Sequence, residues 1–317
     1  MDLDDRHRRI NDYVLALIIL NKISSSIPRR RNHFLRARRP CNRFDFFSLL
    51  FKSFRTIAII FLFLSPPAYA QSQPRRIISL SPNLTEILCD IGAEREIIAC
   101  DAASDYPESV KNIPHLASHF RLNIEHTLAL RPDLIAIEQS TFYKKDIARL
   151  RQLGVEVYIN QSSTLEGIAH TMIDLGKLTG HKIKAQSSAT LFRENINTIR
   201  NKYKHNNEVT VFFVLWDRPL MTVNDHTIIG EMIQLAGGKN IFGRLYPRAA
   251  FISLESVISH RPQVIITSCL KQKNVKRLSI LGGKIYYIPS DLLERTGPRI
   301  LQGYEMICRF LSDGVRA

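Results

Sequence analysis

The chain has 317 residues, 45% of them apolar, enough for two ordinary domains with buried cores. Its formal charge is +15, but residues 1–70 hold thirteen basic against five acidic side chains and the remainder thirty-one against twenty-four. The excess is thin over the body, which has no basic stripe with interleaved aromatics, and this argues against a nucleic-acid partner.

The N-terminal stretch reads as an export signal. Lys52 and Arg55 precede the apolar run Thr56–Leu64; Pro66 and Pro67 break it, and Ala68-Tyr69-Ala70 fits a small-x-small cleavage site. Cleavage after Ala70 is expected, and the run is too short for a permanent membrane span. Residues 1–48 carry Arg29-Arg30-Arg31 and an apolar patch from Tyr13 to Leu20. They read either as an unusually long signal region or as the product of a start site placed too far upstream. Residues 1–70 are therefore set apart from the fold.

From there strands and helices alternate. Arg76–Leu80 reads as a strand, Ser81-Pro82-Asn83 as a turn in which Ser81 or Asn83 caps a helix through Leu84, Ile87, Leu88 and Ile91, and Glu96–Cys100 as a second strand. Strands are expected at Leu134–Ile137 and Val155–Ile159, with a helix over Tyr143–Leu153 between them. This order argues for a parallel sheet with crossover helices. One helix covers 164–180. The run 181–204 has no Gly or Pro and places Ile183, Ala189, Leu191, Ile196 and Ile199 at near-helical spacing, which suits one long connecting helix. The pattern restarts with strand Val209–Leu215, helix Ile228–Ala236, strands near Val264 and Ile285, and helix Ile300–Leu311. The expected organisation is 71–180 as a first α/β lobe, 181–206 as the connecting helix and 207–317 as a second α/β lobe. Cys89, Cys100, Cys269 and Cys308 read either as buried thiols or as one or two bridges.

The two halves share a repeat. Residues 123–137 (NIEHTLALRPDLIAI) and 253–267 (SLESVISHRPQVIIT) each place a glutamate at the start of a short helix. Each helix then stops before Pro132 or Pro262, because the residue before proline is pushed out of the helical region. Glu125 and Glu255 fall at matching places. Singly, each reads as a carboxylate favoured by a helix N-terminus. Together, on duplicated lobes, they suggest a docking surface for a two-fold partner.

Six stretches carry a resemblance: 78–88 (ISLSPNLTEIL), 104–107 (SDYP), 122–135, 219–242 (PLMTVNDHTIIGEMIQLAGGKNIF), 252–266 and 289–300 (PSDLLERTGPRI). In these the chain resembles the periplasmic substrate-binding proteins of ABC importers for cobalamin and iron–siderophores, closest to the cobalamin-binding branch. The resemblance implies two Rossmann-like α/β lobes joined by one rigid helix, a ligand cleft between them, and a periplasmic location. It also implies that Glu125 and Glu255 engage arginines of a permease dimer, which works with its ATPase. No catalysis and no resident cofactor are expected; the cargo is a cobalt corrinoid or an iron chelate, and the free protein is expected to be a monomer.

The cleft should gather loops at strand C-terminal ends. The candidates are Ser81, Pro82, Asn83, Asp105, Tyr106, His119 and Phe120 in the first lobe and Trp216, Arg218, His226, Tyr246, Arg248 and Asp291 in the second. Phe120, Trp216 and Tyr246 offer aromatic faces to a flat macrocycle. His119 and His226 read either as metal-facing imidazoles or as ordinary surface histidines. Where cobalamin binders of this family carry an aromatic residue this chain has His119, with Phe120 beside it, and Ala236 stands where a cysteine often pairs with the equivalent of Cys308. Arg218, Arg248 and Arg295 leave open an anionic ligand such as a siderophore or a haem propionate, although Arg295 can equally pair with Glu294 or Asp291. The remote alternative, an exported enzyme of Rossmann-like fold, lacks any GxGxxG, P-loop, GxSxG or HExxH motif.

Overall fold

Hydrophobic alternation sets the architecture. In the first half Ile77, Leu134 and Ala136 turn to one face of a sheet and Ile78, Ile135 and Ile137 to the other, the period-two consequence of a pleated backbone. The computed structural model describes residues 76–116, 122–139, 144–269 and 278–315. Five strands, β1 (Ile77–Ser79), β2 (Ile97–Asp101), β3 (His115–Leu116), β4 (Leu134–Glu138) and β5 (Glu156–Asn160), form a parallel sheet in the order β3-β2-β1-β4-β5. Helices α1 (Pro82–Asp90), α2 (Ile124–Ala129) and α3 (Lys144–Gln152) accompany it. Both sheet faces are buried, as parallel sheets require.

After α4 (Leu165–Thr179) and α5 (Lys182–Lys202) the second half repeats the plan. Its elements are β6 (Val209–Val214), β7 (Met221–Val223), α6 (Ile228–Leu235), β8 (Gly238–Asn240), β9 (Ala249–Phe251), α7 (Leu254–His260), β10 (Val264–Thr267), β11 (Lys284–Tyr287) and α8 (Ile300–Val315). The second parallel sheet runs β11-β10-β6-β8, and β7 and β9 pair antiparallel beside it. In each lobe the strand after the glutamate-bearing helix lies beside the lobe's first strand: β4 pairs with β1, and β10 with β6. The expected α/β architecture of two Rossmann-like lobes and one connecting helix is the one found. Among the described residues the copies differ in that β3 has no counterpart in the second lobe and the β7–β9 pair none in the first.

The residue before each repeat proline was expected outside the helical region, and Arg131 and Arg261 leave it for left-handed backbone, with φ of 48° and 46°. Each ends its helix with an amide bond back to a carbonyl, Arg131 N to Leu128 O at 2.9 Å and Arg261 N to Ile258 O at 3.2 Å. That cap offsets a conformation which costs a non-glycine residue about 1–2 kcal/mol. The apolar residues that suggested α5 do not all mark its buried face. Ala185, Ala189 and Phe192 are buried, a spacing of four and three. Ile183 and Leu191 stand on the opposite side, 87% and 57% exposed.

The lobes share a core. One apolar cluster joins Leu84, Ile87 and Leu88 of α1, Met172 and Leu175 of α4, and Ala185, Ala189 and Phe192 of α5 to Val211 and Phe213 of β6, Met232 of α6 and Ile307 of α8. The outer face of each sheet has its own smaller cluster. Gly180, at φ 81°, ends α4 in the left-handed conformation and folds α5 back along it. At Gly176 the two helices touch so closely that an added Cβ would lie 2.2 Å from Ala185 Cβ. Gly176→Ala is expected to lower unfolding free energy by about 1–3 kcal/mol, the usual cost of overpacking. Urea unfolding measures it, and an unchanged midpoint would show that the α4–α5 contact is not fixed by this close approach.

Candidate functional site

The C-terminal ends of the two sheets face each other, because the loops after β1 and β2 bond to the segment that follows β11. Pro82 begins α1 and Ser81 sits at its N-cap position, but the Ser81 hydroxyl donates to the Asn83 carboxamide oxygen and leaves the helix amides alone. Asn83 is buried and its Nδ2 donates to Glu138 Oε2 at 3.1 Å and, across the lobes, to Thr296 Oγ1 at 2.8 Å. Asn160 Nδ2 donates to the same Glu138 oxygen at 3.0 Å. Burial pushes the Glu138 carboxyl up, and these two amides work against that rise.

Five charges complete the crossing. Arg295 Nη1 lies 2.6 Å from Asp105 Oδ1 and 3.6 Å from Glu86 Oε1, and its Nη2 lies 3.1 Å from Asp291 Oδ1. Arg299 Nη2 donates to Glu86 Oε1 at 2.6 Å, and its guanidinium carbon sits 4.2 Å over the Tyr106 ring. Glu86 is only 4% exposed, so its charge requires this pairing. The Arg295 hydrogen bond holds the Asp105 carboxyl below its ordinary range. The predicted residues Asn83, Asp105, Tyr106 and Asp291 are thus brought together, with Asp105 and Asp291 already bonded to a guanidinium. Glu86, Thr296 and Arg299 were not singled out from sequence. Glu86 lies off the apolar stripe of α1 and is covered by the other lobe, a relation that helical spacing alone does not reveal.

In the second lobe a cavity of about 280 Å³ opens at the point where the chain order reverses between β6 and β10. Leu215 and Trp216 after β6, Met221 of β7, Ser268 and Cys269 after β10, and Ser290 and Glu294 after β11 line it. Open α/β sheets gather ligands at such switch points. Trp216 is 56% exposed, and its indole Nε1 donates to Arg218 O at 2.9 Å. Desolvation pushes the Glu294 carboxyl up; Ser268 Oγ, donating to Oε1 at 3.0 Å, opposes the rise.

The remaining candidates form a separate group. Asn224 donates from its backbone to Arg248 O and from Nδ2 to Leu245 O, both at 2.8 Å, and accepts from His226 N at 2.9 Å. It thereby ties the loop of His226 to that of Tyr246 and Arg248, and all three stand exposed, Tyr246 at 95%. Tyr106, Arg218 and Tyr246 each precede a cis proline. His119 and Phe120 lie outside the described residues. Among the described residues no cluster of three or more His, Cys, Asp or Glu able to hold a metal is present, and the four cysteines carry no disulfide.

Glu125 and Glu255 are both exposed and both occupy the second position of their helices. The caps are equivalent in role and different in kind: Asn123 Oδ1 accepts from His126 N, and Ser253 Oγ from Ser256 N. Its own backbone amide and the Ser253 hydroxyl hold the Glu255 carboxyl below its ordinary range. Arg149 approaches Glu125 only to 3.9 Å.

Residues 77–279 match the family model described as "Periplasmic binding protein". The chain belongs to that family. The family is one of periplasmic substrate-binding transport proteins that work with the permease and ATPase components of ABC importers. The chain is 32% identical to the vitamin B12-binding protein of Vibrio cholerae over 266 residues, which cover 81% of this chain and 96% of that protein. It is likewise 32% identical to that of Yersinia pestis over 270 residues, covering 83% and 95%. Among solved structures, the periplasmic vitamin B12-binding protein BtuF of Vibrio cholerae superposes with a TM-score of 0.69 at 30% identity, over 77% of this chain and 99% of that one. The periplasmic haem-binding protein HutB of the same organism superposes at 0.67 and 24% identity, over 74% and 98%, a likeness of fold.

In this member of the family the lobes are tied by charges that cannot be removed singly. Arg299→Ala is expected to destabilise by about 3 kcal/mol, since it strips the nearest partner from a buried carboxylate. Adding Glu86→Gln should recover part of that loss in denaturant melts. A single variant as stable as the parent would show that Arg295 alone satisfies Glu86.

Proposed function

We propose that this binding protein captures cobalamin or a related corrinoid between its lobes and delivers it to an ABC permease. Glu125 and Glu255 then each engage basic side chains of one permease subunit. The observation that carries the ligand reading is the relationship along nearly the whole length of proteins named for vitamin B12 binding, 96% of the Vibrio cholerae one. The exposed rings of Tyr106 and Trp216 at the facing sheet ends support it, because aromatic faces pack well on a flat macrocycle. Export through the segment before Gln71 belongs to the same reading. It is supported by the signal-like run before Ala70 and by Gln71–Ala317 forming a unit of its own.

A haem or ferric-siderophore cargo is the second reading. It is favoured by the exposed guanidiniums of Arg218 and Arg248, which suit an anionic ligand. Trp216 is the only tryptophan in the chain, so its emission reports on the second-lobe wall alone. Titration with cyanocobalamin, haemin and a ferric siderophore is expected to quench it with cyanocobalamin at the lowest concentration. If equilibrium dialysis finds no cyanocobalamin bound while haemin saturates the protein, the corrinoid reading is wrong.

Carboxylate–guanidinium pairs fix orientation as well as adding affinity. Glu125→Ala and Glu255→Ala are therefore expected to leave cyanocobalamin affinity within about twofold of the parent. Each should lower uptake through the reconstituted importer by about tenfold or more, the loss of one charge pair at an interface. Weakened ligand binding in either purified variant would place that glutamate in the ligand site and withdraw the docking role.

A further inference from the structure

The cavity at the second lobe's switch point is too small for a macrocycle. At about 280 Å³ it has room for a peripheral arm of one. Its walls are apolar on the β6–β7 side, where Leu215, Trp216 and Met221 carry no charge, while Ser268, Cys269, Ser290 and Glu294 close the other side. Arg295, next in the chain, is turned away, with its guanidinium on Asp105, Asp291 and Glu86. Among the described residues that line the cavity, Glu294 is thus the charged one, and the adjacent Asp291 adds to its field. Desolvation already pushes this carboxyl up, so the site tolerates its own negative charge poorly.

An ionised carboxylate accepts hydrogen bonds and donates none. An arm that enters here must bring an N–H or O–H, and a carboxamide does so without charge. We infer that Glu294 makes the cavity a charge filter, accepting a carboxamide arm of the bound ligand and rejecting a carboxylate at the same place. The inference rests on the corrinoid reading for its natural ligand, since a corrinoid is rimmed with carboxamides and haem carries propionates. It deepens that reading by naming what separates the two classes.

The test compares cyanocobalamin with its isomeric monocarboxylic acids, each with one propionamide hydrolysed, on the parent protein and on Glu294→Gln at neutral pH. At least one acid should bind the parent about tenfold more weakly than the amide, the penalty of one unfavourable charge contact. Glu294→Gln should shrink that ratio to about twofold or less, because its carboxamide can donate as well as accept. The readout is a ratio within one protein, so a variant that binds every ligand less well still reports. Equal binding of all the acids and the amide by the parent overturns the filter, as does a ratio unchanged by Glu294→Gln. If cyanocobalamin does not bind at all, the corrinoid reading falls, and haemin against its dimethyl ester decides the filter. Preference for the neutral ester, lost in Glu294→Gln, supports it; equal binding or preference for the free acid overturns it.

Discussion

The structure depends on one apolar cluster that belongs to both lobes. Side chains of α1 meet α4, those of α4 meet α5, and α5 meets α8, which in turn rests on β6, all within one apolar cluster. Each such side chain contributes about 1.5–3 kcal/mol when buried, so prising the lobes apart would expose a large part of the molecule's stabilising surface. Proteins that close by a hinge concentrate their motion in a few loop residues. Here the connection is a helix of 21 residues, about 31 Å long, seated along α4 at the Gly176–Ala185 contact. The cleft is set by this packing before any ligand arrives.

The charges across the cleft follow the same logic. Glu86 is buried on the first lobe and is neutralised by arginines of the second, and Asn83 reaches over to Thr296. A buried ion pair adds little net stability over an apolar pair of the same shape, but breaking it is expensive. Its value here is positional: it locks the register of the loops after β1 and β2 against the segment that carries Asp291, Glu294 and Arg295. That segment forms the far wall of the second-lobe cavity, so the lock on one side of the cleft orients the wall on the other.

Much of the fold could be read from the chain, and the limits of that reading are physical. The duplicated unit around Glu125 and Glu255 was visible because each copy couples a capped helix, a proline and a fully apolar strand, three signals at fixed spacing. The long helix was visible as a run without Gly or Pro. Strands of two or three residues, such as β3, β7, β8 and β9, are too short for alternation to mark them. Ile183, Ala189, Leu191, Ile196 and Ile199 fell at near-helical spacing, which marks a helix but not which side of it is buried. The true seam passes through Ala185 and Ala189, whose small size allows the close approach to α4. The site was legible in part. Asn83, Asp105, Tyr106, Trp216 and Asp291 follow strand ends, where position alone recommends them. Glu86 and Arg299 acquire their role only when the lobes are brought together, and no local pattern encodes that.

Where a shared packed core leaves the lobes little room to close, the choice of guest falls mainly to wall chemistry. Arg295 shows how that chemistry is divided. From sequence it had two acidic neighbours to pair with, Asp291 and Glu294. In the fold it takes Asp291 and reaches across for Asp105, while Glu294 accepts a hydroxyl from Ser268. Arg295 and Arg299 are thus engaged in holding the lobes together, and among the described residues that line the cavity Glu294 is the acid left without a guanidinium partner. The same rigid core fixes the separation of Glu125 and Glu255 on the outside. The cavity and the paired glutamates are therefore set by one body of packed side chains, and a substitution that loosens the α4–α5 seam is expected to disturb both at once, although it touches neither.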